Sequence, residues 1–406
     1  MLSFIEARDK VIQIITAMRP RPQRETVELS CALGRVLAAP VSADRDYPPF
    51  DRSTRDGYAV RSADATAPGA TLLRVGEIKA GSGFDRALAA GECLQIMTGA
   101  PVPAGADAVV MIEHTRMNGD RVTLERAASC GQNIVLRGSE APAGRELLPV
   151  GTRLGYAEMA LAAQVGCVRI EVFAVPRIAI LSTGDEVVDI ASRPGPFEVR
   201  NGNGTSLEAL VTLAGGRPVQ LGNAVDEKPV IRQAIEKGLQ ADMLILSGGV
   251  SMGKYDLVET VLAELGAEFF FDSVAIRPGK PAVFGRCREK PVFGLPGNPV
   301  STMVTFELFV LPALDVLSGA PARPWQLLGA RLAHAVHEKS GMTHFLPARI
   351  ETRAGEPHVS VLPWQGSGDT VTLARANALL VVPADRPEWS QGDWARVLPR
   401  LGSVGA

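Results

Sequence analysis

A handful of polar, turn-rich segments hold the residues best suited to chemistry. SGGVSMGKYD at 247–256 follows an apolar run and precedes a helical pattern. Its adjacent Gly248 and Gly249 let backbone N–H groups converge on an anion, and a helix N-terminus adds partial positive charge. Asp256 beside such an anion calls for a bridging divalent cation. The same segment reads equally as a tight turn with Asp256 capping the helix. STGDEVV at 182–188 repeats the design after another strand-like run. Its Asp185 and Glu186 are ordinary solvated turn residues in isolation, but beside a phosphate loop they suit Mg²⁺, a hard cation that prefers oxygen. Asp226, in LGNAVDEKP, stands just before a helical pattern, where capping accounts for it. IRPGKPAVFG at 276–285 sets Arg277 and Lys280 around a Pro-Gly turn, an arrangement fit for phosphate or another oxyanion. Taken alone, it reads as two exposed charges on a hairpin. LPGNP at 295–299 fixes a turn and starts a helix at Pro299, as helix starts permit.

Two further loops stand apart, PPFDRSTRDGYAV at 48–60 and MTGAPVPAGADAVV at 97–110. Each joins fixed turns to one polar residue, Asp56 or Thr98. Turn chemistry explains Gly57, Gly99 and Pro101. It does not explain why two such loops occur.

The elements that must position these residues change in texture near 175. Before it lie short strand-like runs and many Gly/Pro turns, with Asn118-Gly119 predicting a hairpin. A helix over 154–166 is closed by Gly166. From about 176 strands and helices alternate, which predicts a parallel α/β sheet: RIAILS, TSLEALVTLAGG, RPVQLGNA, EKPVIRQAIEKGL, DMLILS, YDLVETVLAELG, a hairpin over 268–286, PVFGL, then a long helix to about Leu317. Ligands of such sheets bind beyond the carboxyl ends of the strands, where three of the segments fall. Over 325–406 the runs FLPARIET, HVSVLPW, ALLVVP and WARVLPR predict a small β-barrel or sandwich. The fold class is thus multidomain, a parallel-sheet α/β cleft module with an N-terminal elongated/β region and a C-terminal β-barrel-like domain.

With 406 residues, the chain exceeds one ordinary core, and 46% apolar against 21% charged residues is the balance of a soluble protein. A net charge of −2 argues against a nucleic-acid surface. At the N-terminus, Glu6, Asp9 and Lys10 interrupt the apolar residues, Ser3 and Glu6 form a capping box, and Pro20 stops the helix. Neither an export signal nor an uninterrupted run of membrane-spanning length is seen, so the expectation is a cytoplasmic protein without membrane or nucleic-acid partners. Cys31, Cys93, Cys130, Cys167 and Cys287 are scattered, odd in number and read as small buried apolar residues. The histidines, among them His334 and His337, lack matching ligands, so any metal here is expected to be held by oxygen.

Together the segments FDRSTRDGYAV, MTGAPVPAGADAVV, PRIAILSTGDEVV, LSGGVSMGKYD, RPGKP and GLPGNPVS resemble, in order and spacing, the molybdopterin molybdenumtransferase family, which includes the E domain of gephyrin. The resemblance implies an elongated homodimer of four-domain subunits. Its parts are 1–46 with 141–174, a β domain at 47–140, the α/β module at 175–324 and a C-terminal β domain at 325–406. It implies adenylylated molybdopterin, molybdate and Mg²⁺ as reactants, with molybdenum cofactor and AMP as products. Partners would include an upstream adenylyltransferase and acceptor apo-molybdoenzymes. Functional residues carried over are Asp56, Thr98, Glu186, Asp226, Asp256, Arg277 and Lys280. Glu186 and Asp256 would hold the metal. Ser182, Thr183, Gly184, Ser247, Gly248, Gly249, Ser251, Gly253, Pro296, Gly297, Asn298 and Pro299 would bind substrate. Asp56 and Thr98 would reach the cleft from the partner subunit. Arg277 stands where the family often has Lys, Glu140 where aspartate is usual, and Asn201, two residues before Asn203, where an acidic residue is frequent. A nucleotide-processing enzyme sharing only the α/β cleft, or a pterin-binding scaffold, are the competing readings.

Overall fold

The computed structural model describes residues 1–18, 22–249 and 257–403. Pro20, Ser251, Gly253 and Asp256 lie outside the described residues. Helix α1 (Phe4–Ala17) starts at Ser3 with both bonds of its capping box formed. Its apolar stripe of Phe4, Ala7, Val11 and Ile15 is buried in the core of the α/β module, and Phe4 packs on Trp325 (ring centroids 4.4 Å apart) and Phe345.

The module contains β1 (Arg177–Thr183), α2 (Gly202–Leu213), β2 (Arg217–Ala224), α3 (Lys228–Gly238), β3 (Met243–Ser247), α4 (Leu257–Glu264), β4 (Glu268–Phe271), β5 (Val283–Cys287) and β6 (Lys290–Leu295). Strand order is β2-β1-β3-β6-β5-β4. The first four strands are parallel, while β5 and β4 add antiparallel. The sheet is therefore mixed, not wholly parallel: the short β5–β6 connection leaves no room for the crossover a parallel pair needs. Strand β1 is apolar on both faces because helices cover both. Ile178 and Ile180 face α2, whereas Ala179 and Leu181 face α3. Register aligns Ser182 with Ser247 and Ser247 with Leu295, so the loops after β1, β3 and β6 leave from one row at one edge.

Helix α5 (Pro299–Leu317) carries a π-helical turn at Phe306–Val310, just before Pro312, whose missing N–H already breaks the regular ladder. It is long and apolar enough to span a membrane, yet 83% of its most apolar 18-residue stretch is buried inside the protein, with Asp315 enclosed and Glu307 partly buried. Asp315, 1% exposed, pairs with Arg323 (2.9 Å) and with Arg153 of the preceding segment (3.1 Å).

Beyond α5, β7 (Leu328–Leu332), β8 (Thr343–Arg353), β9 (Glu356–Val361), β10 (Ala378–Val382) and β11 (Trp394–Pro399) pair in the cycle β8-β9-β7-β11-β10 and back to β8. This closed five-stranded barrel has no free edge. A helix absent from the expectations, α6 (Thr370–Arg375), bridges β9 and β10.

In the N-terminal half, a six-stranded sheet runs Ala108–Met111, Gly57–Val60, Glu92–Ile96, Thr71–Ile78, Arg121–Leu124, Thr115–Asn118. The hairpin loop is Gly119-Asp120, one residue later than expected, with Gly119 at φ 60° in its first central position. Strand Arg24–Glu28 pairs with Arg169–Phe173, joining the two flanks of that sheet. Only Cys93 and Cys287 are buried, while Cys31 and Cys130 are exposed and Cys167 lies between, so the uniformly buried expectation is corrected.

Candidate functional site

The aligned carboxyl ends of β1, β3 and β6 open into a cleft of about 780 Å³. Ser182, Thr183, Gly184, Glu186, Asp226, Ser247, Gly248, Gly249, Pro296, Gly297, Asn298 and Pro299 line it, joined by Asn201 and Asn203. Every expected cleft residue of the β1, β3 and β6 loops that is described therefore falls in one place. Ser251, Gly253 and Asp256 are the exceptions, being outside the described residues.

Glycines are required at the end of β3. Gly248 and Gly249 adopt φ 90° and 62°, and a Cβ on Gly248 would lie 2.6 Å from the Thr183 carbonyl oxygen. The cleft floor is polar and tightly indexed. Asn203 Nδ2 donates to Ser247 Oγ (2.9 Å) and to the Gly297 carbonyl (2.8 Å), clamping the β3 and β6 ends together. Asn201 caps α2, its Oδ1 accepting from Gly204 N (2.8 Å) and Ser182 Oγ (3.0 Å). Asn201 thus serves as a neutral helix cap. Thr183 Oγ1 and Asn203 Oδ1 are buried and find no hydrogen-bond partner among the described residues.

Glu186 and Asp226 form the acidic end of the cleft, and Asp185 Oδ1 accepts from Asp226 N (2.9 Å). The Asp226 carboxyl is raised above the usual range, first by partial burial and then by Asp185 and Glu186. Capping does not account for Asp226: the α3 N-cap is Glu227, with no side-chain bond. Among the described residues no three metal-ligating side chains converge into a complete cage. A cation there would need oxygens from substrate, and the unrelieved negative charge at Asp226 fits one.

Arg277 and Lys280 line a second recess of about 530 Å³ that shares Pro281, Pro296, Asn298 and Gly368 with the first. Among the described residues neither cation pairs with a carboxylate. Their turn is anchored on two sides: Ile276–Arg277 pairs with Thr343–His344 of the barrel, and a Cβ on Gly279 (φ 106°) would press within 2.5 Å of Thr305 on α5. The opposite wall is Trp364, Gln365, Gly366, Ser367 and Gly368 from the C-terminal domain, with Ser301 at the base. This wall escaped the sequence reading, since WQGSGD has no periodicity and resembles any small-residue loop. Val300 N donates to the Ser367 carbonyl (3.0 Å), fastening it to the start of α5.

Asp56 and Thr98, 42 positions apart, meet directly. Thr98 donates its backbone N–H (2.6 Å) and hydroxyl (2.8 Å) to Asp56 Oδ1, which holds this exposed carboxyl below its ordinary range. Gly99 N donates to Ser53 O and Ser53 N to Ala100 O, so the two puzzling loops are one structure. Gly57 is obligatory beneath it, for a Cβ would sit 1.9 Å from Val110 O. Glu140 pairs with Arg52 (2.7 Å) at the margin. Neither recess is lined by any residue of 47–140 from the same chain.

The fold and its loops define a molybdopterin-binding α/β enzyme flanked by dedicated domains. Residues 179–316 match a model described as a probable molybdopterin binding domain, residues 2–166 the MoeA N-terminal region (domain I and II), and residues 329–399 the MoeA C-terminal region (domain IV). A molybdopterin molybdenumtransferase of Nostoc sp. is 35% identical, covering 98% of this chain and 94% of its own. Its Bacillus subtilis counterpart is 33% identical over 96% and 93%. The crystal structure of a molybdopterin biosynthesis moeA protein from Pyrococcus horikoshii OT3 superposes with a TM-score of 0.80 at 28% identity, covering 98% and 100%. The chain belongs to the molybdopterin molybdenumtransferase family, and it is a molybdenum-transferring enzyme of molybdenum cofactor biosynthesis.

Proposed function

We propose that the enzyme inserts molybdate into adenylylated molybdopterin with Mg²⁺-dependent release of AMP, working as a homodimer. The observation that carries this reading is the adjoining of an acidic, glycine-floored cleft and a recess whose two cations pair with no carboxylate among the described residues, the two sharing Pro281, Pro296, Asn298 and Gly368. Gly248 N is spent on the Leu295 carbonyl (3.2 Å), which ties the β3 end to β6, and the Gly249 N–H suits the substrate's phosphates. Arg277 and Lys280, with Ser301 and Ser367, suit molybdate and the charge leaving with the nucleotide. Glu186, together with Asp226 and the undescribed Asp256, would hold Mg²⁺, which would neutralise the pyrophosphate oxygens when bound.

Asp56 and Thr98 lie outside their own chain's cleft, so this reading assigns them to the partner's. Their mutual bonds fix an exposed carboxylate in one orientation, as a contact to a substrate's polar edge requires. Mixing chains that carry Asp56→Ala with chains that carry Lys280→Ala tests the arrangement. Each parent dimer is expected to be inactive, and the mixture to regain activity because one composite cleft is intact. No regain from a mixture shown to exchange subunits would refute the shared cleft. The reading also includes cytoplasmic residence, an upstream adenylyltransferase as source of substrate, and apo-molybdoenzymes as acceptors of product. Cell fractionation and pull-down with those proteins check these in turn.

A further inference from the structure

We propose that Arg400 and Glu307 are positioning residues for the oxyanion recess, acting through the C-terminal chain to hold its 364–369 wall in place. The inference rests on the reading of the Arg277–Lys280 recess as the molybdate pocket.

The wall is a loop whose two ends are tied to different elements. Asp369 closes it internally: Oδ2 accepts from Gln365 N (3.0 Å), and Oδ1 accepts from Thr372 N (3.0 Å) as the N-cap of α6. At the other end of α6, Leu373 O accepts from Ala376 N (3.1 Å) and keeps a second lone pair, while Ala376 O lies beyond the last helical residue. Arg400 Nη1 satisfies two carbonyls there, Leu373 O (2.5 Å) and Ala376 O (2.9 Å). The next residue, Leu401, donates its N–H to Glu307 Oε2 (3.1 Å). Glu307 is partly buried and lies in the π-helical turn of α5.

A closed circuit results. From the wall it runs through α6 to Arg400, across Leu401 to Glu307, and back along α5 to Val300, whose N–H donates to Ser367 O in the wall itself. Neither Arg400 nor Glu307 lines the recess. Both are costly to enclose, since a carboxyl and a guanidinium lose hydration and gain only a few directed bonds. Apolar residues would fill the same volume between α5 and the barrel more cheaply. What the polar pair adds is direction: two carbonyls and one N–H are held at set positions, which indexes the wall against the Arg277–Lys280 turn.

Three full-length variants, Arg400→Met, Glu307→Leu and Glu307→Gln, would be compared with wild type for amide hydrogen exchange of 364–372 and for KM of molybdate and of adenylylated molybdopterin. Arg400→Met and Glu307→Leu are expected to speed exchange in 364–372 and to raise the molybdate KM by about tenfold or more. The pterin KM should stay within about twofold. Glu307→Gln keeps an acceptor oxygen for Leu401 N–H and is expected to behave as wild type. Should Arg400→Met fail to fold, Arg400→Lys, which retains charge but only one axis of donation, shows the same split in weaker form. Unchanged exchange in both disruptive variants overturns the inference, as does a parallel rise of both KM values. Lys280→Ala separates the two claims: if it leaves the molybdate KM unaltered, the recess assignment fails, whereas the exchange data still decide on the circuit.

Discussion

Alanine at Gly248 places a measurable load on the centre of the cleft. At φ 90° an L-residue leaves the favoured backbone regions, at a cost of about 1–2 kcal/mol. The added Cβ would lie 2.6 Å from Thr183 O, well inside the 3.4 Å at which ordinary contact begins. That oxygen belongs to the last residue of β1, paired with Ala224 of β2 and one position beyond the Ser182–Ser247 pair, and has little freedom to retreat. Overpacking of this kind adds about 1–3 kcal/mol, for a total of roughly 2–5 kcal/mol. The load can be relieved in two ways. If the strand and loop hold their places, the melting temperature falls, by about 2–4 °C per kcal/mol for a domain of this size. If the loop moves outward instead, melting is preserved and kcat/KM for the pterin substrate drops about tenfold per 1.4 kcal/mol. Gly222→Ala is the control: it shares a positive φ of 85° but meets nothing within 4 Å, so it carries only the first cost. Thermal melts and steady-state kinetics on the three proteins make the comparison. Gly248→Ala indistinguishable from Gly222→Ala in both would refute the steric reasoning.

Asp226→Asn should remove a carboxyl that the fold holds protonated to higher pH. Stability from that group is full below its unfolded value and is lost as pH rises through the raised folded value. Wild type is therefore expected to gain thermal stability from Mg²⁺ at neutral pH, with a smaller gain in Asp226→Asn; equal gains would remove Asp226 from the cation site. Glu307 is pushed up to about 7 by burial, against weaker opposing effects of Leu401 N–H and Arg400. Its contribution is present below an unfolded value near 4.5 and disappears as pH rises through about 7, worth about 3 kcal/mol. The difference in unfolding free energy between wild type and Glu307→Gln should change by that order between pH 4.5 and 8, and parallel curves would contradict the burial argument.

What the sequence made legible was local. The Ser3–Glu6 box, the Gly closure at 166 and the helix start at Pro299 depend on neighbours within a few positions, and each stands in the structure as read. The β1, β3 and β6 loops were also legible, because strand–turn–helix alternation implies a common edge. Three features arose from pairings no local pattern encodes. Asp56 meets Thr98 across 42 positions through a strand register that sequence spacing does not reveal. The antiparallel pairing of β5 with β6 turns on their short connection and makes the sheet mixed, whereas the β4–β5 hairpin over 268–286 stands as read. The 364–369 wall comes to the cleft only because barrel closure swings α6 against α5. Asp226 illustrates the converse: its place before a helix suggested a cap, while its neighbours in space are carboxylates.

The central claim is molybdenum insertion at this cleft. It is tested most directly by incubating the purified protein with adenylylated molybdopterin, Mg²⁺ and molybdate, following AMP release together with reconstitution of an apo-molybdoenzyme. AMP release that depends on molybdate and yields active cofactor is the expected result. AMP release indifferent to molybdate, without reconstitution, would contradict the account and make the cleft that of a pyrophosphatase.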